Sequence, residues 1–598
     1  MKRLFITLKD IGLKRIFYRL RYEFFYKIDS KFPNLWLYSN RAILKKPLWK
    51  KNLLELNLNK NILKKKNNNL KNIKFTFLNE TKNLIFPINW NNKNWSRLWQ
   101  FNIHYFDWGR KWIDEGLENN IWNKKIFMLE SLLDQWIKFN PTGFGDGWHS
   151  YTLSLRIKNW IWFFRMFPNL ATKKRIDSLW LQICWLYKHP EKCHGGNHWL
   201  ENLTTLIIAS LQFDNLLSKK IYKKSIFLLE KELSSQILND GGHEERSAAY
   251  HLLILDRLVE MAFVIQITNN ERPLWLINII KKMTKWAHLI TLENDQIPRF
   301  NDSCKDICSD IKVIKDFAIS YIENKENSLS GLRRLLSKNN KKEFKKFKDY
   351  ENKKKVINLV DTGWILFRAG NGWEFIMKCG KSCPNHLPAH AHSDLFSFDI
   401  FKHGRPIIAE CGTSVYGNNL KRKYERSSNA HNVLALSKKN QLKSEKVNWC
   451  EPVDVWANFR AARKANVIKK SFKEYKNNSF IISVSHDGFK SIGVLYERSI
   501  KLSKTKKNEF EIILIEKIIC KNELIGNQIF HFGPNIDKNK YTPSIKSSKL
   551  IKNMKQQWIN SYYSYGFGNT VPRNTFIFSF VLPVGMHSIK SKISISSL

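Results

Sequence analysis

The stretch WNKKIFMLESLLDQWIKF (Trp122–Phe139) places apolar residues at the i, i+3, i+4 and i+7 spacing of an amphipathic helix. The stretch SIFLLEKELSSQIL (Ser225–Leu238) repeats this spacing, and Trp and Phe crowd Asn159–Phe167. Short glycine-containing segments, PTGFGDG, HGG and DGG, separate the helical patterns. Many amphipathic helices joined by such turns over residues 95–335 predict a layered helical toroid or barrel rather than a small bundle.

The hydrophobic periodicity changes after a charged, polar run at Lys338–Lys355, which we interpret as a linker between domains. Val356–Gly380, Leu395–Ile408 and Ser479–His486 alternate apolar and polar residues in part, with Gly and Asn turns between them. Glu509–Cys520 (EFEIILIEKIIC) is more apolar and predicts a strand buried on both faces. The C-terminal part is therefore expected to be a stack of antiparallel sheets.

The N-terminal region differs from both of these parts. Residues 1–40 are expected to be helical, and residues 49–75 are Lys/Asn/Leu-rich and predict a polar connector. Ile11–Ile28 forms a basic, aromatic-rich amphipathic pattern, for which packing on its own domain is favoured and contact with a membrane surface stays open. The apolar run at the start is too short for a signal peptide, so a cytoplasmic location is expected, with a periplasmic one as the alternative.

The composition excludes some classes of protein and leaves others open. The chain has 598 residues, 43% of them hydrophobic, which argues against wholesale disorder. Its net charge of +48 favours polyanionic partners, although drift toward A/T-rich codons explains the excess of Lys equally well. A nucleic-acid binder is disfavoured, because Lys is spread along the chain and no recognised binding module is present. No apolar run approaches the length of about 20 residues that a membrane span needs.

Two polar clusters lie in the helical part, each after a pair of glycines. In HGGNHWLEN a helix that begins here would place His198 and Glu201 on one face, with Asn197 near its N-terminus. These groups can bind a carboxylate and transfer a proton, and helix capping by Asn197 is an equal alternative. In DGGHEERSAAYH, Tyr250 is a candidate proton donor or base, although packing is the commoner role of such a tyrosine.

A third cluster lies at the start of the predicted sheets, in HLPAHAHSDLFSFDIF. His390 and His392 would face the same side of a strand. Together with Glu410 and His431 further along, His392 makes a plausible zinc set, because imidazole and carboxylate are zinc ligands. A polar core without metal is the alternative.

These clusters occur in the order and at the separations found in the heparinase II/III family, which the chain resembles from about residue 95 to past 435. Three further stretches resemble motifs of this family: RLWQFNIHYFDW, WHSYTLSLRIKNW and NAHNVL. The resemblance implies an incomplete N-terminal α/α toroid followed by a C-terminal antiparallel β-sandwich, with the active cleft between them. The expected boundaries are residues 1–75 for the N-terminal helix and connector, 76–337 for the toroid, 338–355 for the linker and 356–598 for the sandwich.

The resemblance also implies roles for individual residues. Asn197 and His198 match the pair that engages a uronate carboxylate, and Glu201 matches a carboxylate found at that offset in some members. Tyr250 matches the catalytic tyrosine and His390 the catalytic histidine. His392, Glu410 and His431 match positions that hold a structural zinc in some members, where the position of Glu410 is an aspartate.

The implied activity is that of a polysaccharide lyase, which cleaves a uronic-acid-containing anionic glycan by β-elimination. The expected partner is thus an acidic polysaccharide, and no organic cofactor is expected. The alternative is a relative of the same fold that binds an anionic polysaccharide but is catalytically weak or inactive. The lyase is favoured because Asn197, His198, Tyr250 and His390 are all present.

Overall fold

The structure is a computed structural model that describes residues 2–45, 48–50, 71–118, 122–269, 271–324, 355–439, 447–475, 479–504, 509–539 and 541–595. Its helical domain comprises α5 Arg97–Tyr105, α6 Asp107–Glu118, α7 Trp122–Phe139, α8 Ser150–Met166, α9 Lys173–Lys188, α10 Gly196–Ser210, α11 Leu216–Gln236, α12 Ala248–Asn269, α13 Leu274–Ile290 and α14 Ile311–Glu323. Helix α8 packs against α5, α6, α9 and α10, and α10 packs against α11 and α12.

The helices form where the apolar periodicity predicts them. Helix α7 coincides with the quoted stretch and buries Ile126, Leu129, Leu132, Leu133 and Trp136 on one face. Helix α8 differs, since it is buried almost all round, and its central position between other helices explains the density of its aromatic residues. The predicted helical class of this domain is confirmed.

The N-terminal region folds into α1 Lys2–Ile11, α2 Leu13–Lys31, α3 Pro33–Ser39 and α4 Arg41–Leu44. The predicted polar connector is partly wrong, because its last residues begin a hairpin of β1 Asn72–Phe77 and β2 Glu80–Ile85. Ile73, Phe75 and Phe77 alternate with polar residues and are buried, Phe75 against Trp108. Their burial holds this strand on the helical domain. Residues 51–70 of the predicted connector lie outside the described residues.

In the residues that the structure describes, the β domain has three antiparallel sheets and one hairpin. Its strands are β3 Val356–Leu359, β4 Trp364–Gly370, β5 Trp373–Lys378, β6 Phe398–Lys402, β7 Arg405–Ile408, β8 Leu434–Lys438, β9 Val453–Ala457, β10 Arg460–Lys464, β11 Val467–Tyr475, β12 Ser479–His486, β13 Val494–Lys504, β14 Phe510–Cys520, β15 Leu524–His531, β16 Ser544–Ser547, β17 Lys552–Gly566, β18 Asn569–Leu582 and β19 Gly585–Ile595. The sheets have the orders β3-β4-β5-β6-β7, β17-β18-β15-β8 and β11-β12-β13-β14-β19-β16, and β9 pairs with β10. A short helix, α15 Leu420–Glu425, lies between β7 and β8.

The five-stranded sheet is the layer that joins the two domains. In β4, Ile365 and Phe367 point into the core shared with the other sheets. Trp364 and Leu366 point the opposite way, into a separate core with Ala248 and other helical-domain residues. The β domain is therefore docked through the back of one sheet onto α12 and α13, and the loops at its edge reach the first turn of α12.

Two strand predictions need correction. Strand β14 is not equally buried on both faces; its residues alternate between buried and partly exposed positions, as expected where one face packs on the core. His390 and His392 do not lie on a strand but on the loop that precedes β6. The predicted linker at 338–355 lies almost entirely outside the described residues, so the proposed domain boundaries stay predictions. No helix in the described part of the chain combines the length and apolar character needed to cross a membrane.

Candidate active site

The site is built around the glycine pair that opens α10. Gly195 and Gly196 both have positive φ angles, 65° and 49°, which favour glycine. A Cβ atom on Gly196 would lie 2.2 Å from Oε1 of Glu245, so only glycine lets this carboxylate approach the helix start. The Glu245 carboxylate accepts a hydrogen bond from the Asn197 backbone N–H at 2.9 Å. The start of α10 is thus stabilised from outside by a buried carboxylate.

Asn197, Glu245 and His390 form a compact group across the domain boundary. The Asn197 Nδ2 atom lies 3.2 Å from Glu245 Oε2 and 3.4 Å from His390 Nε2. The His390 Nε2 atom lies 3.1 Å from the same Glu245 oxygen. All three side chains are at least nine-tenths buried. Glu245 therefore holds the amide of one domain against the imidazole of the other.

Tyr250 lies on the first turn of α12 and stacks on His390, with ring centroids 3.9 Å apart. Its hydroxyl shares a hydrogen bond of 2.9 Å with the hydroxyl of Tyr416. Burial raises the pKa of Tyr250 well above its usual range, and the nearby Asp302 carboxylate raises it further. The tyrosine is therefore protonated at neutral pH and has a proton to give.

Asp302 contacts both histidines of the loop that precedes β6 and links them to α15. Its carboxylate lies 2.9 Å from His390 Nδ1 and 2.8 Å from His392 Nε2, and Arg422 of α15 binds both of its oxygens. Burial alone would raise the pKa of Asp302, but Arg422 and the histidines hold it well below its usual range. Asp302 thus remains an anion at neutral pH and fixes the orientation of the His390 ring.

His198 faces a different carboxylate. Its Nδ1 atom lies 3.3 Å from Glu191, and its ring stacks on Tyr151 with centroids 4.3 Å apart. His149 and His194 also lie within 3.5 Å of Glu191, so three imidazoles surround one buried carboxylate. Burial lowers the pKa of His198, yet the Glu191 carboxylate outweighs burial and leaves the pKa above its ordinary value. With 37% of its side chain exposed, His198 is within reach of an anionic ligand, and Glu191 favours its protonated form.

Glu201 is buried in an ionic cluster of the helical domain. Its carboxylate pairs with Lys158 and with Arg257, the latter at 3.0 Å, and Glu260 completes the cluster. Burial would raise the pKa of Glu201, but Lys158 and Arg257 lower it. His198 and Glu201 are neighbours on α10, as predicted, but their side chains belong to separate networks. The predicted role of Glu201 in chemistry stays a prediction.

The predicted zinc ligands are close together without converging. The rings of His392 and His431 lie 5.4 Å apart, and each has one buried nitrogen without a hydrogen-bond partner, Nδ1 and Nε2 respectively. The Glu410 carboxylate instead pairs with His431 Nδ1 and accepts from Ser397. Among the described residues, no group of three or more His, Cys, Asp or Glu side chains has the geometry to hold a metal ion. As placed here, the trio does not fit zinc, and zinc stays a prediction that metal analysis of the purified protein tests.

Two family models match this chain, one in its helical part and one in its β part. The model of the heparinase II/III N-terminus matches residues 28–327, and that of the heparinase II/III-like C-terminal region matches residues 351–561. The chain belongs to the heparinase II/III family. Within this family, a heparin-sulfate lyase of Bacteroides stercoris is 23% identical over 265 residues, which are 42% of this chain and 37% of the relative. A heparin-sulfate lyase of Bacteroides thetaiotaomicron is 23% identical over 353 residues, 52% of this chain and 47% of the relative.

The matched segments therefore span less than half of the length of these two heparin-sulfate lyases. Solved structures of the family resemble the fold over more of the chain. Heparinase III superposes with a TM-score of 0.62 and 17% identity, over 86% of this chain and 80% of that one. A heparan sulfate lyase of Pedobacter heparinus superposes with a TM-score of 0.52 and 18% identity, over 87% and 80%. This likeness confirms the α+β fold class, in which helices precede antiparallel sheets.

The sequence does not predict several residues of this candidate site. They are Glu191, Glu245, Asp302, Tyr416 and Arg422. Glu191 lies just before the motif HGGNHWLEN, and Glu245 lies within DGGHEERSAAYH. Their nearness to these motifs is the sequence signal that could have identified them. Asp302 and Tyr416 lie in irregular segments, and Arg422 lies in the short helix α15, so no apolar periodicity marks any of them.

Proposed function

We propose that the chain is a polysaccharide lyase that cleaves a uronic-acid-containing anionic glycan by β-elimination. The observation that carries the proposal is the stacking of Tyr250 on His390, with Asn197 at hydrogen-bonding distance from the same imidazole. A proton donor, a nitrogen base and an amide donor thus come together from two domains. The heparin-sulfate lyases among its relatives support the same chemistry.

The carboxylate of the substrate would be bound by Asn197 and His198. The proton on C5 is weakly acidic, because its removal leaves an enolate that carries a second negative charge beside the carboxylate. An amide N–H and a cationic imidazole stabilise that charge where it develops. The pairing of His198 with Glu191 supports this role, since it raises the pKa of the imidazole and so favours the cationic form.

The proton transfers would involve Tyr250 and His390. His390 Nε2 removes the C5 proton, and the electron pair becomes the C4–C5 double bond as the C4–O4 bond breaks. The leaving O4 takes a proton from the Tyr250 hydroxyl. The products are a 4,5-unsaturated uronate and a new hydroxyl end, without a water nucleophile. The high pKa of Tyr250 supports its role as the acid, since the group holds its proton until O4 departs.

The test is incubation of the full chain with a panel of uronic-acid polysaccharides, among them heparan sulfate, hyaluronan and alginate. Ultraviolet absorbance of the unsaturated product should rise with at least one of them. A carboxyl-reduced sample of the active glycan is the matched control and should give no product, because its C5 proton lacks an adjacent carboxylate. Binding to a glycan without any product, across the panel, would favour the binding-only relative.

A further inference from the structure

Helix α2 carries its largest apolar side chains on the face that points away from the protein. Its inner face is fixed by polar and aromatic contacts: the Tyr22 hydroxyl lies 3.1 Å from Ser150 Oγ, and the Asp29 carboxylate lies 3.0 Å from His189 Nε2. Tyr26 also packs edge-on against His189. These contacts with the helical domain set the orientation of α2, and they determine which of its faces points to solvent.

The outward face of α2 is an apolar stripe, formed by Leu13, Phe17, Leu20, Phe24 and Ile28. These residues follow one another at intervals of three or four, so they line one side of the helix. Between 37% and 85% of each side chain is exposed. A surface helix normally buries such a stripe and exposes its polar side, so the amphipathic pattern of α2 is inverted relative to its own domain.

Exposed apolar residues are concentrated in this part of the protein. Of the 33 large apolar side chains that are exposed in the described residues, 13 lie before residue 49. Besides the stripe they include Leu4, Phe5 and Leu8 of α1 and Leu35 and Tyr38 of α3. Scattered exposed apolar residues need no explanation, but a helical stripe within such a local excess marks a surface that a partner covers.

The same helices are strongly basic. Residues 1–44 contain ten Lys and Arg against three Asp and Glu. Two of these acids are already paired with other parts of the protein, Asp29 with His189 and Asp10 with Lys464. Lys14, Arg21 and Lys27 are exposed on α2 beside the apolar stripe. The surface therefore combines an apolar stripe with a positive flank.

Charge decides which partner this surface fits. A second copy of the chain, packed stripe against stripe, would bring two positive flanks together and be repelled. An anionic lipid surface attracts the flanks and accepts the stripe at the boundary between headgroups and acyl chains, about 5–10 Å deep. Basic residues at such a boundary keep their charged ends in the headgroup layer.

We propose that α1, α2 and α3 dock the protein on the surface of an anionic membrane, with the apolar stripe of α2 immersed at the headgroup boundary. The docking is peripheral, since no described helix is suited to cross a membrane. It does not depend on the proposed lyase activity. Its geometry has a consequence for the site: α2 lies directly against the turn that begins α10, where a Cβ on Gly195 would meet Arg15 at 2.8 Å. The cleft would therefore open close to the membrane surface.

Co-sedimentation of the full chain with lipid vesicles tests the proposal. The chain should bind vesicles that contain phosphatidylglycerol, bind pure phosphatidylcholine vesicles at least tenfold more weakly, and be released by salt. The double variant F17E/F24E should lose at least tenfold in binding to the anionic vesicles. Its melting temperature should match that of the wild type, because both side chains are exposed.

The matched control is the double variant L216E/L274E, which places the same charges on exposed leucines of α11 and α13 and should bind like the wild type. Equal binding of F17E/F24E and the wild type would overturn the proposal, as would failure of the wild type to bind anionic vesicles. A wild-type dimer in solution that F17E/F24E dissociates would instead assign the stripe to a second copy. Elimination activity on a soluble glycan should be the same in F17E/F24E and the wild type, so failure of docking and failure of the lyase proposal are distinguishable.

Discussion

The ring of Tyr250, from the first turn of α12, stacks on the ring of His390, from the loop before β6, with centroids 3.9 Å apart and planes inclined by 30°. Tyr250 belongs to the helical domain and His390 to the β domain. The acid and the base of the proposed elimination therefore meet only where the domains dock.

Replacing Tyr250 with Phe should lower the turnover of elimination by roughly 10²- to 10⁴-fold, the usual contribution of a general acid or base. The ring and its stacking on His390 are kept, and only the hydroxyl and its bond to Tyr416 are lost. Stability should fall by no more than about 0.5–1.5 kcal/mol. The elimination rate on one active glycan checks the first statement, and the melting temperature of the variant checks the second. If the variant stays active and is only slightly destabilised, Tyr250 is not the acid, and the proton transfers must be assigned to His390 and His198.

Replacing Asp302 with Asn should impair both stability and turnover. Arg422 would be left buried without a counter-ion, which costs about 3–5 kcal/mol. The His390 ring would lose the carboxylate that orients it, and turnover should fall by roughly 10²- to 10⁴-fold.

The double variant D302N/R422M separates the two effects of Asp302. Removal of both charges should restore much of the free energy of unfolding, because no buried ion is left unpaired. Turnover should stay low, since His390 is still not oriented. Chemical denaturation and elimination rates measure the two quantities. Recovery of turnover together with stability would show that Asp302 acts on folding alone.

Replacing Glu191 with Gln should shift the pH dependence of substrate affinity. The pKa of His198 is raised in the folded protein by Glu191, so its positive charge is present at low pH and is lost as pH rises through that raised value. Without the carboxylate the charge should be lost at a lower pH, and KM should begin to rise there. KM measured against pH checks this, with E523Q, at an exposed ion pair with Lys439, as the control. Identical profiles for E191Q and the wild type would remove His198 from carboxylate binding.

Replacing Glu201 with Gln should lower stability by about 3–5 kcal/mol, because Lys158 and Arg257 lose a buried counter-ion. The second substitution Lys158→Met should recover part of this loss by removing one of the unpaired charges. Elimination by the folded protein should fall less than about tenfold, since the carboxylate is bound within the helical domain. Denaturation and single-variant kinetics test the two statements. A large fall in turnover at unchanged stability would restore the catalytic role that the family resemblance implies.

The sequence predicts the helices and the order of the domains well, because both depend on local periodicity. Helix α7 coincides with its predicted range for this reason. The strand that contains Phe75 is predicted as part of a connector. Only three apolar residues alternate with polar ones in it, and the surrounding Lys and Asn dominate the composition. Apolar periodicity reveals the buried face of a helix or strand only where polar residues do not dominate the local composition.

The site is predictable only in part, since its contacts join distant segments. Asn197, Tyr250 and His390 are predicted from the sequence because each lies in a short motif of the family. Asp302 lies 88 residues from His390, and nothing in its own neighbourhood indicates which imidazole it binds. The same holds for Glu410, whose pairing with His431 depends on a side-chain orientation that spacing does not specify.

The five-stranded sheet has a thermodynamic consequence. Because Trp364 and Ile365 are adjacent in β4 and lie in different cores, no boundary exists along which the β domain can melt while leaving the interdomain core intact. Loss of the sheet removes the partners of α12 and α13 at the same moment. The two domains are therefore expected to share one cooperative unit, so that calorimetry records a single heat-absorption peak instead of one for each domain.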